Sequence, residues 1–521
     1  MNKDVSIKDV CIIGAGISGL CTIKELLEQN HRVTCYDSSH TIGGAFNAAC
    51  EGGKAYRTMR LTISNYFMAY SSFPPCLAEE RYYWTAQEYI KYLNEYVSYF
   101  KLGEHILFNH QVIHINTKAK RPTITVKTDK GLVENKVFDY VVICSGANAS
   151  EYVPQFSGQE TYTGKIIHSS MFDKHNYQGK RVLCIGLGET GSDVCHLIAQ
   201  QADSCTVAVR NFPSVVRRYA HNHTNDALTT KILGAAGKAG VDWFMKCQAA
   251  IKLKFSKRYS KKERYYFELI KHQNGGFSDR FLTKNDAFIE DIVNGQLTLK
   301  KTEIKHIEGN KVMFSDGTHD IFDFIVCNTG YKNNFSFVDC SQLLGNVRDL
   351  FKHMLHPQLQ TKLALIGWAR PTQGGVPVMS EIQARYLAQL LSGKKPWLTQ
   401  QQLNSRIEQD RHYEESFFKN STWLKSLVDY HQYMREMASL IDCQPGIQLL
   451  QNPGLLIKYW YGSHLSYFYR LQGPGSQPDK MKTVIKALPV AQTKRRSVIL
   501  TLLSLVNFIC GVSIVKKANT T

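Results

Sequence analysis

The chain carries the same glycine-rich device twice, and few folds accommodate it. Asp9 to Ile13 reads as a buried strand running into Gly14-Ala15-Gly16-Ile17-Ser18-Gly19. Arg181 to Ile185 reads as a second strand, running into Gly186-Leu-Gly188-Glu-Thr190-Gly191-Ser192-Asp193. Glycines at this spacing let a backbone approach a pyrophosphate, and the following helix offers its N-terminal amides to the charge. After the first turn, apolar residues fall at Ile17, Leu20, Ile23 and Leu26/Leu27, close to the helical period. The next strand, Arg32 to Tyr36, ends on Asp37, an acid placed to accept hydrogen bonds from a ribose hydroxyl. The expectation is an α/β chain with two Rossmann-like dinucleotide-binding domains, built to hold two dinucleotides against each other.

The second unit differs in one respect. Its helix is expected from about Thr190 to Ala202, and its second strand, Cys205 to Val209, ends on Arg210 instead of an acid. An acid would repel a 2′-phosphate, whereas arginine presents a planar fork to it. Charge-assisted hydrogen bonds contribute roughly 1.5–3 kcal/mol, so Arg210 favours NADP(H) over NAD(H). The competing reading is a solvated arginine at a strand end. Asp139 to Gly146 and Asp323 to Tyr331 share one shape, an acid, an apolar strand, then a small residue and glycine. Both are assigned to the first unit, which would then close around an inserted second one.

At 521 residues the length suggests about three domains. The fourteen cysteines lie in apolar runs without metal-ligand spacing, as expected of reduced thiols in a cytosol-facing protein. The start, Met1 to Asp9, shows no signal-peptide pattern. The net charge of +19 calls for an explanation. No basic-aromatic nucleic-acid module is present, so nucleic acid is not an expected partner. Between Lys231 and Lys271, eleven Lys or Arg stand against three acids, interleaved with Trp243, Phe244, Phe255, Tyr265, Tyr266 and Phe267. A membrane-surface face and a solvated basic face are equally good readings of that segment.

With these residues in place, the chain resembles the flavin-containing monooxygenases. The first turn resembles their FAD site. Ile42-Gly43-Gly44-Ala45-Phe46 resembles their Gly-Gly-x-Trp segment, with Phe for Trp. Tyr162-x-Gly164-x-x-x-His168-Ser-x-x-Phe172 resembles their identifying motif, and Asn328-Thr329-Gly330-Tyr331 their Ala-Thr-Gly-Tyr. Leu363 to Trp368 and Glu381-Ile-Gln383-Ala-Arg385 resemble their late segment. One departure stands out. The family places an Asn over the flavin, ahead of a Tyr-x-Asp-Phe-Pro run that here reads Tyr70-Ser-Ser72-Phe73-Pro74. Family spacing puts Thr62 at that position, with Asn65 three residues later, and a short gap would restore Asn65.

The resemblance implies an NADPH- and O2-dependent enzyme that oxygenates a nitrogen or sulfur nucleophile through a flavin C4a-hydroperoxide, with no metal. Its catalytic residues would be Thr62 or Asn65. FAD would be held by Gly14, Ala15, Gly16, Ile17, Ser18, Gly19, Asp37, Gly44, Ala45 and Phe46. NADP(H) would be held by Gly186, Gly188, Thr190, Gly191, Ser192, Asp193 and Arg210. Alternatives are a Baeyer–Villiger enzyme acting on a carbonyl, an oxidase releasing peroxide, and a nucleotide sensor without turnover. His168 either positions the domain junction or is a satisfied structural histidine, and Glu381 with Arg385 reads as an i,i+4 ion pair. The expected division is FAD domain 1–170, NADPH domain 171–317 with a basic insert at about 215–275, FAD domain 318–400, and a helical region 401–493.

Val498 to Val515 is a run of eighteen uncharged residues, twelve of them Leu, Ile, Val or Phe. As a helix it would be roughly 27 Å long, against a hydrocarbon core of about 30 Å. Lys494-Arg495-Arg496 precede it, so a membrane-anchoring helix with the catalytic body on the cytosolic side is expected. The membrane would be endoplasmic reticulum or a bacterial inner membrane. A monotopic hairpin or a buried helix is the alternative.

Overall fold

The computed structural model describes residues 7–518 apart from 51–52, 57, 77–79, 149, 221, 272–281, 420 and 422, with side chains described as far as Ile509. Its framework is two parallel sheets. The strands and helices that build them are β1 (Asp9–Ile13), α1 (Ile17–Leu27), β2 (Arg32–Tyr36), β3 (Ile106–Leu107), β4 (Tyr140–Ile143), β5 (Lys165–His168), β6 (Arg181–Ile185), α2 (Glu189–Ala199), β7 (Ser204–Val209), β8 (Leu297–Lys301), β9 (Phe324–Cys327), β10 (Leu363–Leu365) and α3 (Val376–Leu391). The first sheet runs β10-β4-β1-β2-β3 and the second β8-β7-β6-β9-β5. Central strands hidden on both faces read as continuous apolar runs. Accordingly, Val10, Cys11, Ile12, Leu183 and Cys184 are fully buried.

One strand assignment is corrected. β9 pairs in register with β6, Val182 opposite Phe324, and on its other side with β5. It therefore belongs to the second sheet, as does the strand that opens the identifying motif. The strand that returns the chain to the first sheet is β10, paired with β4. It is three residues long, too short to show a period of its own. Where the chain crosses between units, Ser150–Glu151 and Tyr331–Lys332 pair antiparallel, so the two connecting segments form one ribbon.

Helix α3 packs along α1, and all but its first residue are buried. Burying a Leu or Ile side chain contributes about 1.5–3 kcal/mol. Leu20, Ile23, Ile382 and Leu387 do so on this seam. The expected Glu381–Arg385 pair is also corrected, because the two side chains bond elsewhere. Glu381 Oε1 accepts from Arg470 at 2.9 Å, while Arg385 donates to the carbonyls of Tyr469 (3.0 Å) and Pro474 (2.8 Å).

The expected membrane-spanning helix is not supported. Among the described residues no helix is long and apolar enough to cross a membrane. Residues 510–515 of the expected span lie outside the described side chains. The C-terminal helix, Lys494–Ala518, instead packs on protein. Leu500 is fully buried in a cluster with Ile232 and Ala236, and Asn507 donates to the Ala235 carbonyl at 3.2 Å. The basic segment is split in the same way. Tyr266 and Phe267 are buried beneath Arg217, whereas Trp243 and Phe255 stay exposed.

Candidate active site

The first turn has the shape a pyrophosphate requires. Gly14 has φ 102°, and a Cβ there would lie 2.8 Å from the Cys144 carbonyl. A Cβ on Gly19 would lie 1.8 Å from the Gly14 carbonyl, which excludes every other residue. Helix α1 begins at Gly16 with no side-chain cap and no acid in its first turn, so its leading amides are available to a phosphate. Asp37 braces the turn, accepting from the N–H groups of Ala15 (2.6 Å) and Ser39 (2.8 Å). Gly44 lies against Gly16, and Ala45 and Phe46 continue the short helix Gly44–Phe46. Ile17 and Ser18 start α1, where Ser18 Oγ meets Ser380 Oγ at 2.9 Å. These residues fit a flavin nucleotide.

The second turn repeats the geometry. Gly186 has φ 90°, and a Cβ on Gly191 would lie 2.9 Å from the Gly186 carbonyl. Asn328 closes the loop from β9, donating to the Gly186 carbonyl at 3.2 Å. Helix α2 starts at Gly188 without a side-chain cap. Thr190 is exposed, and Ser192 is buried, its hydroxyl bonded to the Glu189 carbonyl at 2.8 Å. Arg210 is exposed at the end of β7, its guanidinium 5.4 Å from the Trp423 ring centroid. These residues fit a second dinucleotide with an anion beyond the β7 end.

Between the turns lies a polar junction that sequence reasoning missed. Asp193 accepts from Tyr56 at 2.8 Å, from Arg218 at 3.0 Å, and from Asn285. It therefore ties the two units together from inside the second motif. Glu189 lies 3.4 Å from Lys284 and 3.5 Å from Arg370, and Thr62 is a further neighbour that favours its ionised form. Burial works against its ionisation, but Lys284 and Arg370 outweigh it and hold the carboxyl below its usual range. Asn65 is buried at the head of a short helix, donating to the Glu80 carbonyl at 3.0 Å and accepting from Tyr66 and Tyr82 N–H. Next to it, Ser64 N–H donates to Asp226 at 2.7 Å, and Asp226 pairs with Arg81 at 3.2 Å.

His168 is a satisfied histidine. Nδ1 accepts from Ser170 N–H at 3.2 Å, which leaves Nε2–H to donate to the Gly330 carbonyl at 3.0 Å. Burial lowers its pKa, so the neutral ring pins the identifying motif to the loop after β9.

The model of the family described as "Flavin-binding monooxygenase-like" matches residues 7–500. The chain belongs to that family. It is 34% identical over 491 residues, covering 93% of this chain and 94% of the relative, to a 4-hydroxybenzoate brominase (decarboxylating) of Marinomonas mediterranea. It is 28% identical to the N-oxide-forming dimethylaniline monooxygenase 4 of Rattus norvegicus, covering 90% of this chain and 85% of that one. In fold it is similar to S-allyl-L-cysteine S-oxygenase from Allium sativum, with a TM-score of 0.61 at 18% identity over 93% of this chain and 98% of that one. A cyclohexanone monooxygenase bound to NADP+ is similar at a TM-score of 0.60 and 17% identity, covering 84% of this chain and 98% of that one.

The chain is thus a flavin-dependent monooxygenase, an oxidoreductase that uses FAD and NADPH. In this monooxygenase the charges at the junction come from stretches with no motif. Arg81 and Arg370 flank recognisable segments, and Arg218, Asp226 and Lys284 lie in or just beyond the basic insert. Only Glu189 and Asp193 carried a sequence signal, as acids inside a turn that otherwise courts phosphate.

Proposed function

We propose that this monooxygenase transfers one atom of dioxygen to a soft, polarisable nucleophile, namely the nitrogen or sulfur of a small molecule or a halide of similar softness. Relatives named for N-oxide formation and for bromination support this reading, because both outcomes need an oxygen delivered as an electrophile. When bound, FAD supplies the redox and oxygen chemistry.

The observation that carries the reading is the pair of glycine turns held across one junction, where Asp193 of the second turn accepts from Tyr56 of the first unit at 2.8 Å and from Arg218 at 3.0 Å. Asn65, buried and committed to the Glu80 carbonyl and two backbone N–H groups, positions the Thr62–Asn65 segment. Gly14 to Gly19, Asp37 and Gly44 to Phe46 hold FAD; Gly186, Gly188, Thr190, Gly191, Ser192, Asp193 and Arg210 hold NADP(H).

The test is NADPH oxidation by the FAD-loaded protein with a thioether, with a tertiary amine, and with bromide plus a phenol, each product identified by mass spectrometry. A sulfoxide, an N-oxide or a brominated phenol supports the reading. Esters formed from simple ketones would favour the Baeyer–Villiger alternative, and peroxide equal to NADPH consumed under every condition would favour an oxidase.

A further inference from the structure

The two segments without recognisable motifs, 215–275 and 400–490, meet in a basic cluster walled by aromatic rings. Helix Lys231–Ala235 supplies Lys231, helix Tyr430–Leu440 supplies His431 and Arg435, and the turn after helix Pro453–Tyr461 supplies His464. The two imidazoles lie nearly in one plane, 4° from parallel with centroids 5.0 Å apart, and meet edge to edge with their Nδ1 atoms 2.8 Å apart. Facing ring nitrogens at that distance share one proton, so one ring donates and the other accepts. His464 is otherwise satisfied, its Nε2 2.8 Å from the Tyr469 hydroxyl and its backbone N–H on the Thr229 carbonyl at 2.7 Å. His431 Nε2 is buried without a hydrogen-bond partner.

Lys231 stands beside this pair. Its ammonium lies 4.0 Å from the Tyr459 ring centroid and 5.7 Å from that of Trp460, and it bonds the Tyr459 hydroxyl. Neither Lys231 nor Arg435 has a carboxylate partner among the described residues, although both charges act on His431. The nearby acid, Asp429, accepts the His431 N–H on Oδ1 and the Tyr413 hydroxyl on Oδ2, and at His431 its charge opposes those of Lys231 and Arg435. Burial, aided by Arg435, brings the Lys231 pKa down to about 8, the mark of a cation without a counter-charge. Lys231 is half-buried and Arg435 exposed, so the cluster opens to solvent.

The cluster also sits next to the flavin-side segment. Thr230 pairs with Ser463, whose hydroxyl accepts from Arg81 at 2.6 Å, and Arg81 pairs with the Asp226 that holds Ser64. Tyr430 packs edge-on against Phe67, two residues beyond Asn65, with centroids 5.9 Å apart.

We propose that Lys231, Arg435 and His431 form a binding site for the carboxylate of an aromatic acid, with Tyr459 and Trp460 flanking its ring. That the acid is the oxygenation substrate rests on the function proposed above; that the acid binds does not.

The experiment is calorimetric titration of FAD-loaded protein with benzoate, benzamide and inorganic phosphate. Wild type should bind benzoate at least tenfold tighter than benzamide or phosphate. Lys231→Gln should erase that preference, and Lys231→Arg should keep it. Equal affinity for benzoate and benzamide, or undiminished benzoate binding in Lys231→Gln, overturns the proposal. Phosphate binding tighter than benzoate overturns the carboxylate assignment. If Lys231→Gln does not fold, the wild-type preference and its retention in Lys231→Arg decide. Benzoate binding without any aromatic acid being oxygenated would leave this site standing and refute only its role as the substrate site.

Discussion

Arg470 and Glu381 form a buried ion pair at 2.9 Å, and Glu25 closes the other side of the same guanidinium. Glu381 also accepts the N–H and hydroxyl of both Ser71 and Ser72, from 2.6 to 3.1 Å. The network thus locks α1, α3 and the segment just beyond Asn65 into one unit. Removing one partner of a buried pair costs about 3–5 kcal/mol, because the other charge stays behind uncompensated. Arg470→Met, which strands Glu381 and leaves Glu25 with Lys24 as its paired cation, should destabilise the protein by about that amount in urea unfolding and promote loss of FAD.

The same network sets the acid limit. Burial pushes the Glu25 carboxyl up, but Arg470 and Lys24 outweigh it and bring its pKa from 4.5 to about 2. A depressed carboxyl contributes its stability above the unfolded-state value, and that contribution is lost as pH falls from 4.5 towards 2. The shift corresponds to on the order of 3 kcal/mol. Unfolding free energy measured from pH 6 down to pH 3 should fall more steeply in wild type than in Arg470→Met.

Thr62 and Glu189 should act as a pair. Thr62 favours the ionised form of Glu189, so Thr62→Val and Glu189→Gln should each cost about as much as one hydrogen bond, about 1 kcal/mol. Product formed per NADPH should drop by several-fold to about tenfold, with the balance appearing as peroxide. FAD content should hold, because the first glycine turn is untouched. A double variant no worse than either single one would show that the two act through one bond.

Arg210 is exposed at the end of β7, beside the Trp423 ring. If it grips the 2′-phosphate, Arg210→Gln should cut kcat/KM for NADPH by about 10–100-fold, the equivalent of one charge-assisted hydrogen bond. Activity with NADH should stay where it was. A uniform loss with both coenzymes would return Arg210 to a solvated strand end.

The local parts of the fold were legible because each carries its own physics. The strands Asp9–Ile13 and Arg181–Ile185 fall where apolar runs meet glycine turns, and Arg32–Tyr36 falls just before Asp37. Sheet membership was not legible for Phe324–Cys327, because an apolar strand ending in a small residue and glycine fits either sheet. Only its pairing with Arg181–Ile185 decides. Glu381 and Arg385 looked like partners at helical spacing, yet Arg470 reaches Glu381 from eighty-nine positions away. The apolar run after Arg496 has a membrane-like composition, but one face of it meets Ile232 and Ala236. Long-range partners of this kind leave no local pattern.

The central claim is that one oxygen atom of O2 reaches an organic or halide nucleophile at the junction of the two nucleotide turns. The direct measurement supplies 18O2 to FAD-loaded protein with NADPH and a thioether, and follows label in the product together with peroxide in solution. The account predicts one 18O atom per sulfoxide and peroxide well below the NADPH consumed. Unlabelled product, or peroxide matching NADPH one for one with no oxygenated product from thioether, amine or bromide, would contradict it.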